Sequence, residues 1–140
     1  MKNNAIALLL LLGSTVSHAQ QWSNDLKTAL SESAAQNKLV LLYFTGGSDC
    51  PNCVQLEQQV LSSRDFLDYA SRHFMLVRQD FQSRENIEEN LLIVEKYNKD
   101  GFFPLVVLIG SNARALGHIG VYQDETPQQY IEKLRAMANR

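Results

Sequence analysis

An α/β fold, with a mixed central sheet between two layers of helix, is predicted by three observations. Residues 39–44 and Leu105–Ile109 are short apolar runs of strand length, and residues 75–81 read as a further strand. Segments with helical spacing separate them. A Gly110-Ser111-Asn112 turn joins the third strand to a fourth at 115–121, as a hairpin requires. Strand–helix–strand units favour parallel pairing with a right-handed crossover, and the hairpin is antiparallel, so the sheet is mixed. The chain has 140 residues, 45% of them hydrophobic, which suffices for one compact core. No repeat, low-complexity tract or linker interrupts it, so a single domain over residues 20–140 is expected. The net charge is −2 and lysine and arginine do not cluster, which excludes a basic nucleic-acid surface.

In chain order, Lys2 gives a positive start, residues 5–12 are a short apolar run, and Ser17-His18-Ala19 places small residues where signal peptidase reads them. A signal peptide over residues 1–19 is expected, with an uncleaved anchor as the rival reading. The apolar run is too short to span a bilayer, and no cysteine follows the cut to be acylated. The mature chain is then an exported protein without a membrane span, with the periplasm as the expected compartment. Leu26, Ala29, Leu30 and Ser33 are spaced for a helix over 25–37 with Asn24 as its cap. The strand 39–44 follows. Cys53, Leu56, Val60 and Leu61 fall on one face of the next helix, and Ser63 caps another whose face is Phe66, Leu67, Ala70 and Phe74. After the second strand, Ser83 is the expected cap of a helix that buries Ile87, Leu91, Val94 and Tyr97, ended by Asn98-Lys99-Asp100-Gly101. Pro104 opens the third strand, where proline is tolerated. Thr126-Pro127-Gln128-Gln129 combines a capping threonine, a proline in the first turn and a glutamine three residues on. Tyr130, Ile131, Leu134 and Met137 line the final helix.

The chemistry centres on Cys50-Pro51-Asn52-Cys53, where a buried strand hands over to a helix. Pro51 suits the first helical turn, so Cys50 stands at the helix N-terminus beside unpaired N–H groups, which stabilise a thiolate. Cys53, one turn deeper, is placed to resolve a mixed disulfide. These are the only two cysteines, too few for a four-ligand structural zinc site. Val54 after Cys53 excludes the haem-attachment pattern. Two rival readings are an inert structural disulfide and a carrier of a soft ion such as Cu(I), although no Met-rich or His-rich stretch supports the carrier. Asp49, directly before Cys50, is either a solvated loop acid or a charge that raises the thiol's pKa against the pull of the helix. Glu57 is either a solvent-facing helix residue or a proton-transfer group. Phe102, Phe103 and Tyr122 are expected to form an apolar rim for an unfolded or flexible partner, with core packing as the alternative for either phenylalanine, and His118 is structural or exposed.

The arrangement resembles the thioredoxin fold over roughly residues 25–137, and is most similar to exported thioredoxin-like disulfide oxidoreductases. The motifs that carry the resemblance are Gly47-Ser48-Asp49-Cys50-Pro51-Asn52-Cys53 and Gly101-Phe102-Phe103-Pro104. It implies a three-layer α/β/α sandwich, a cis Pro104 facing the cysteine pair, and Phe103 presenting backbone groups to a substrate chain. Gly120 corresponds to a fourth-strand glycine of the family. Two departures stand out. Asp49 replaces the family's tryptophan before the first cysteine. The family's buried acid in the first strand, which accepts the proton of the second thiol, is absent; Tyr43 and Phe44 fill its place, and Glu57 is the candidate substitute. The activity implied is exchange of disulfides with protein substrates, in the reducing direction by preference. No cofactor is needed, and a separate redox partner protein supplies the electrons. The alternative is a binding or chaperone-like module whose disulfide only staples the corner.

Overall fold

The computed structural model describes residues 21–140; the signal peptide expected over residues 1–19 lies outside them. The elements are α1 (Leu26–Gln36), β1 (Leu39–Thr45), α2 (Pro51–Leu56), α3 (Arg64–His73), β2 (Phe74–Asp80), α4 (Ile87–Tyr97), β3 (Leu105–Ile109), β4 (Ala115–Ile119) and α5 (Pro127–Ala138). A 3-10 turn, Gly47–Asp49, leads into α2, and a π-helical turn, Glu57–Leu61, continues it. The strands lie in the order β2-β1-β3-β4. β1 and β2 are parallel, while β1–β3 and β3–β4 are antiparallel.

The sheet is mixed as expected, but the second strand–helix–strand unit does not give a parallel pair. Thr45 pairs with Asp80 at the end of β2, and Phe44 pairs with Leu105 at the start of β3. β3 therefore starts at the end of the sheet where β2 stopped. Residues 98–104 carry the chain back there after α4, and so bring Pro104 beside the corner that follows β1.

Alternation along β1 divides the core. Leu41 and Tyr43 face one side, with Leu56, Phe66, Tyr130 and Leu134 from the helices. Val40, Leu42 and Phe44 face the other, with Leu26 and Ala29 of α1 and Ile93 of α4. β1 is buried through all but its first residue, as a central strand covered on both faces must be.

Helix starts follow side-chain capping. Ser63 accepts from the Phe66 N–H at 3.2 Å, and Thr126 and Gln129 form a reciprocal capping box, both as expected. α1 is capped by Asp25 rather than Asn24: the Thr28 N–H donates to Asp25 Oδ1 at 2.9 Å. Ser83 does not cap α4 either; its hydroxyl accepts from the Glu85 N–H within a turn, and the helix starts at Ile87 after Asn86. Ile93 is buried, with Val94 and Tyr97 packed on the same core as expected. Ile87 and Leu91, expected to be buried, stand 51% and 59% exposed.

Other corrections are local. Phe74 is not helical; it takes an extended conformation and opens β2 as a buried residue. Phe81 lies past the end of β2 and is half exposed. The last strand stops at Ile119, leaving Gly120 and Val121 outside it. A Cβ on Gly120 would meet nothing within 4 Å, whereas one on Gly117 would lie 2.7 Å from Met137 Sδ. The glycine that close packing demands is therefore Gly117. Tyr122 is core rather than rim, with its hydroxyl donating to the Glu125 carbonyl at 3.0 Å. Ahead of α1, Ser23 runs beside β2: its N–H donates to the Leu76 carbonyl at 2.9 Å, and its carbonyl accepts from the Arg78 N–H at 2.8 Å. Among the described residues, no helix is long and apolar enough to cross a membrane.

Candidate active site

β1 ends at Thr45, and the turn to α2 is built on two glycines. Gly47 has φ +70°, a conformation that glycine adopts without strain. Its N–H donates to the Thr45 hydroxyl at 3.0 Å, and a Cβ there would run into the Gln82 side chain. Gly46 lies close against the cysteines. A Cβ on it would lie 3.1 Å from Cys50 Cβ and 3.9 Å from both Cys50 Sγ and Phe103 Cβ.

Cys50 and Cys53 form a disulfide across one helical turn. Cys50 is the N-cap of α2: its Sγ accepts from the Cys53 N–H at 3.2 Å, and Pro51 occupies the first helical position. It is half-buried, whereas Cys53 is fully buried. Cys53 Sγ in turn accepts from the Gly46 N–H at 3.5 Å. The sulfur that faces outward is thus the one at the helix start, held by an N–H that would also stabilise a thiolate.

Pro104 is buried and the Phe103–Pro104 bond is cis. The loop before it is clamped by Asn98, a buried residue that sequence reasoning used only as a helix stop. The Asn98 Nδ2 donates to the Phe102 carbonyl at 2.9 Å, and its Oδ1 accepts from the Phe102 N–H at 3.0 Å. Phe103 packs edge-on against Phe81, with ring centroids 4.4 Å apart. Beside Pro104 opens a cleft of about 330 Å³, lined in part by Phe102, His118 and Val121. His118, far from the cysteines in sequence, therefore shares the proline's side of the site. Phe102 is exposed at its rim.

Glu57 does not face open solvent. Its Oε1 accepts from the Tyr43 hydroxyl at 3.0 Å and pairs with Arg78 at 3.1 Å, with the Thr45 hydroxyl at 3.5 Å. Tyr43 is fully buried, and its hydroxyl also lies 3.5 Å from the Cys53 carbonyl. Burial pushes the Tyr43 phenol well above its ordinary range, and the Glu57 carboxylate adds to this against the pull of Thr45 and Arg78. It is therefore a proton donor in the network at any ordinary pH. Where the resemblance predicts a buried acid behind the second cysteine, this chain has a phenol and a carboxylate joined by a hydrogen bond. The π turn begins at Glu57, where the Ser62 N–H donates to the Glu57 carbonyl at 2.9 Å.

Asp49 is exposed, and its carboxylate does not cap α2. Oδ2 instead accepts from Gln82 Nε2 at 2.7 Å, which ties the turn before Cys50 to the end of β2. Gln82, Arg78, Phe81 and Asn98 were not singled out by sequence reasoning. Each joins the site through strand register or a returning loop.

A family model described as thioredoxin-like matches residues 21–111. The chain is 28% identical over 121 residues to the disulfide bond reductase DsbH of Chlamydia pneumoniae, covering 83% of this chain and 71% of that protein. Among solved structures, a DsbH oxidoreductase superposes with a TM-score of 0.78 at 25% identity, covering 96% of this chain and 95% of its own. A thioredoxin from Thermus thermophilus, at 20% identity and a TM-score of 0.67 over 86% of this chain and 88% of that one, shares the fold. The matched residues run from the segment beside β2, through the cysteine corner and the cis proline, to the turn after β3, and this chain belongs to the thioredoxin-like family.

Proposed function

We propose that this chain is an exported thiol–disulfide oxidoreductase that reduces disulfides in protein substrates, with residues 1–19 as its signal peptide and residues 20–140 as one domain. One observation carries this reading: a disulfide whose half-buried cysteine sits at a helix start, close to the Phe103 that precedes a cis proline, with its partner cysteine buried. The similarity to a disulfide bond reductase supports the direction. The N-terminal pattern of Lys2, an apolar run and Ser17-His18-Ala19 supports export to the periplasm.

In the reduced protein the Cys50 thiolate attacks one sulfur of a substrate disulfide. A Cys50–substrate disulfide forms, and the other substrate sulfur leaves as a thiolate. Cys53 loses its proton and attacks Cys50 Sγ, which closes the Cys50–Cys53 disulfide and releases the second substrate thiolate. Two electrons have passed to the substrate, and a separate dithiol protein returns them. Phe103 and Pro104 offer backbone to the substrate strand alongside Cys50. Glu57, held by Tyr43 and Arg78, takes the proton-acceptor role behind Cys53, and Asp49 tunes Cys50 by its charge.

The test is reduction of insulin with a thiol donor, by wild type and Cys50→Ser, together with Cys53→Ser as a trap. Turnover in wild type, loss in Cys50→Ser and accumulation of a Cys50–substrate disulfide in Cys53→Ser are expected. Equal and negligible turnover in all three would refute the redox reading and leave a binding module with a stapling disulfide.

A further inference from the structure

We propose that the groove between α4 and the end of β2 is a second docking surface for the protein substrate. It holds an extended segment that carries bulky apolar side chains beside basic ones while the substrate's disulfide lies over Cys50. The proposal rests on the redox reading above and adds the part of the substrate that is recognised.

The surface is a shallow groove whose walls include Phe81, Ile87, Leu91 and Val94. Three of these are apolar side chains left open: Phe81 is 46% exposed, Ile87 51% and Leu91 59%. Helical spacing puts Ile87 and Leu91 one turn apart on the flank of α4, and the groove runs between that flank and the end of β2, where Gln79 and Asp80 also line it. Scattered single apolar residues on a surface need no explanation, but a contiguous groove does.

Its position says what covers it. Phe81 stacks edge-on against Phe103 at 4.4 Å, and a Cβ on Gly46 would lie 3.9 Å from both Phe103 Cβ and Cys50 Sγ. The groove is thus continuous with the mouth of the redox pair. A polypeptide whose disulfide reaches Cys50 and whose backbone passes Phe103 runs next onto Phe81 and then α4. The groove's volume, about 90 Å³, admits side chains one at a time, which suits an extended strand rather than a folded domain. Asp80 lines the groove, with Arg78 3.9 Å from that carboxylate, Glu88 and Glu89 follow Ile87 in the first turn of α4, and Asp49 joins them through Gln82. Acidic residues at and beside the apolar walls favour a segment of apolar and basic residues.

The experiment compares wild type with Ile87→Ser/Leu91→Ser on three disulfides: a peptide with Leu-Leu-Lys beside its disulfide, one with Ser-Ser-Glu, and neutral bis(2-hydroxyethyl) disulfide. Wild type is expected to favour the apolar–basic peptide over the acidic one by about tenfold in kcat/KM, equivalent to ~1.4 kcal/mol. The double variant should lose that preference and keep its turnover of the small disulfide. Glu88→Lys/Glu89→Lys should weaken the preference and its salt dependence without touching the small disulfide. An unchanged preference in the double variant, or an equal loss on the small disulfide, overturns the proposal. So does a wild-type dimer in sedimentation that the double variant lacks, which would assign the face to a second copy. Flotation of wild type with anionic vesicles, lost in the double variant, would assign it to lipid and overturn it as well. A wild type inert toward bis(2-hydroxyethyl) disulfide would refute the redox reading itself, and the proposal with it.

Discussion

Gly46→Ala probes how tightly the strand-to-helix turn grips the disulfide. The backbone there has φ −85° and ψ 9°, open to alanine, so the substitution acts through its methyl group. That carbon would stand 3.1 Å from Cys50 Cβ. Carbon contacts are comfortable at about 3.5–4.0 Å, so the overlap is roughly half an ångström. Overpacking costs about 1–3 kcal/mol, at the low end where the neighbours can yield, and alanine recovers about 0.4–1 kcal/mol from the unfolded chain. The oxidised protein should lose about 1 kcal/mol net. Reduction unlocks Cys50 from Cys53 and lets its side chain move off the methyl group, so the cost falls mainly on the oxidised form. A bias of ~1 kcal/mol toward the reduced form makes the pair more oxidising by about 20 mV. The assay is equilibration in glutathione buffers with the two forms counted by mass after alkylation, beside thermal melts of the oxidised protein. An unchanged or more reducing potential would show that the turn does not press on Cys50, and the steric argument would fail.

Three further outcomes are expected. Tyr43→Phe removes the 3.0 Å bond to Glu57 while Arg78 stays, so urea titration should show a loss of about 1 kcal/mol, and no loss would mean the bond contributes nothing. Gly117→Ala pushes on the flexible end of Met137 and should cost about 1 kcal/mol, while Gly120→Ala should melt like wild type; the reverse order would restore Gly120 as the constrained glycine. Burial pushes the Glu125 carboxyl up, but Lys133 and the Gln123 N–H outweigh it and hold the group below its ordinary range. Its stabilisation is therefore complete above the ordinary carboxylate range and lost as pH falls through the lowered value. Glu125→Gln should cost about 1–2 kcal/mol at neutral pH, with the gap to wild type narrowing below about pH 4; a constant gap at all pH values would refute the assignment.

The cysteine corner, the proline-led strand and the capping box of α5 were legible because each is written in adjacent residues. A strand-length apolar run, a proline in the first helical turn and a threonine with glutamine three residues on are local signals, and local geometry answers them. Contacts across the sheet were not legible. Glu57 reads as a surface residue until β1 and β2 pair, which brings Arg78 beside it. Gln82 meets Asp49 across 33 residues of sequence for the same reason. The error in α4 was confined to its first half. Val94 and Tyr97 pack on the core as their spacing suggests, whereas Ile87 and Leu91 stand exposed on the flank of the helix. Asn86 ahead of the helix, with φ +51°, sets a start that no capping side chain announces. The apolar groove beside the redox pair is the result, and a reading that buries every periodic hydrophobe could not have shown it.

Ser23 closes one margin of the sheet by bonding along β2 on both sides of Val77. This makes the first described residues a structural strip rather than a leader to be trimmed or loaded at will. A tag or tether fused close before Gln21 pulls on a segment whose release would bare the β2 edge and invite strand exchange between molecules. Attachment beyond the exposed Arg140 pulls only on the end of α5. Surface immobilisation, fusion reporters and crosslinked complexes for this protein are therefore best built from the C-terminal side.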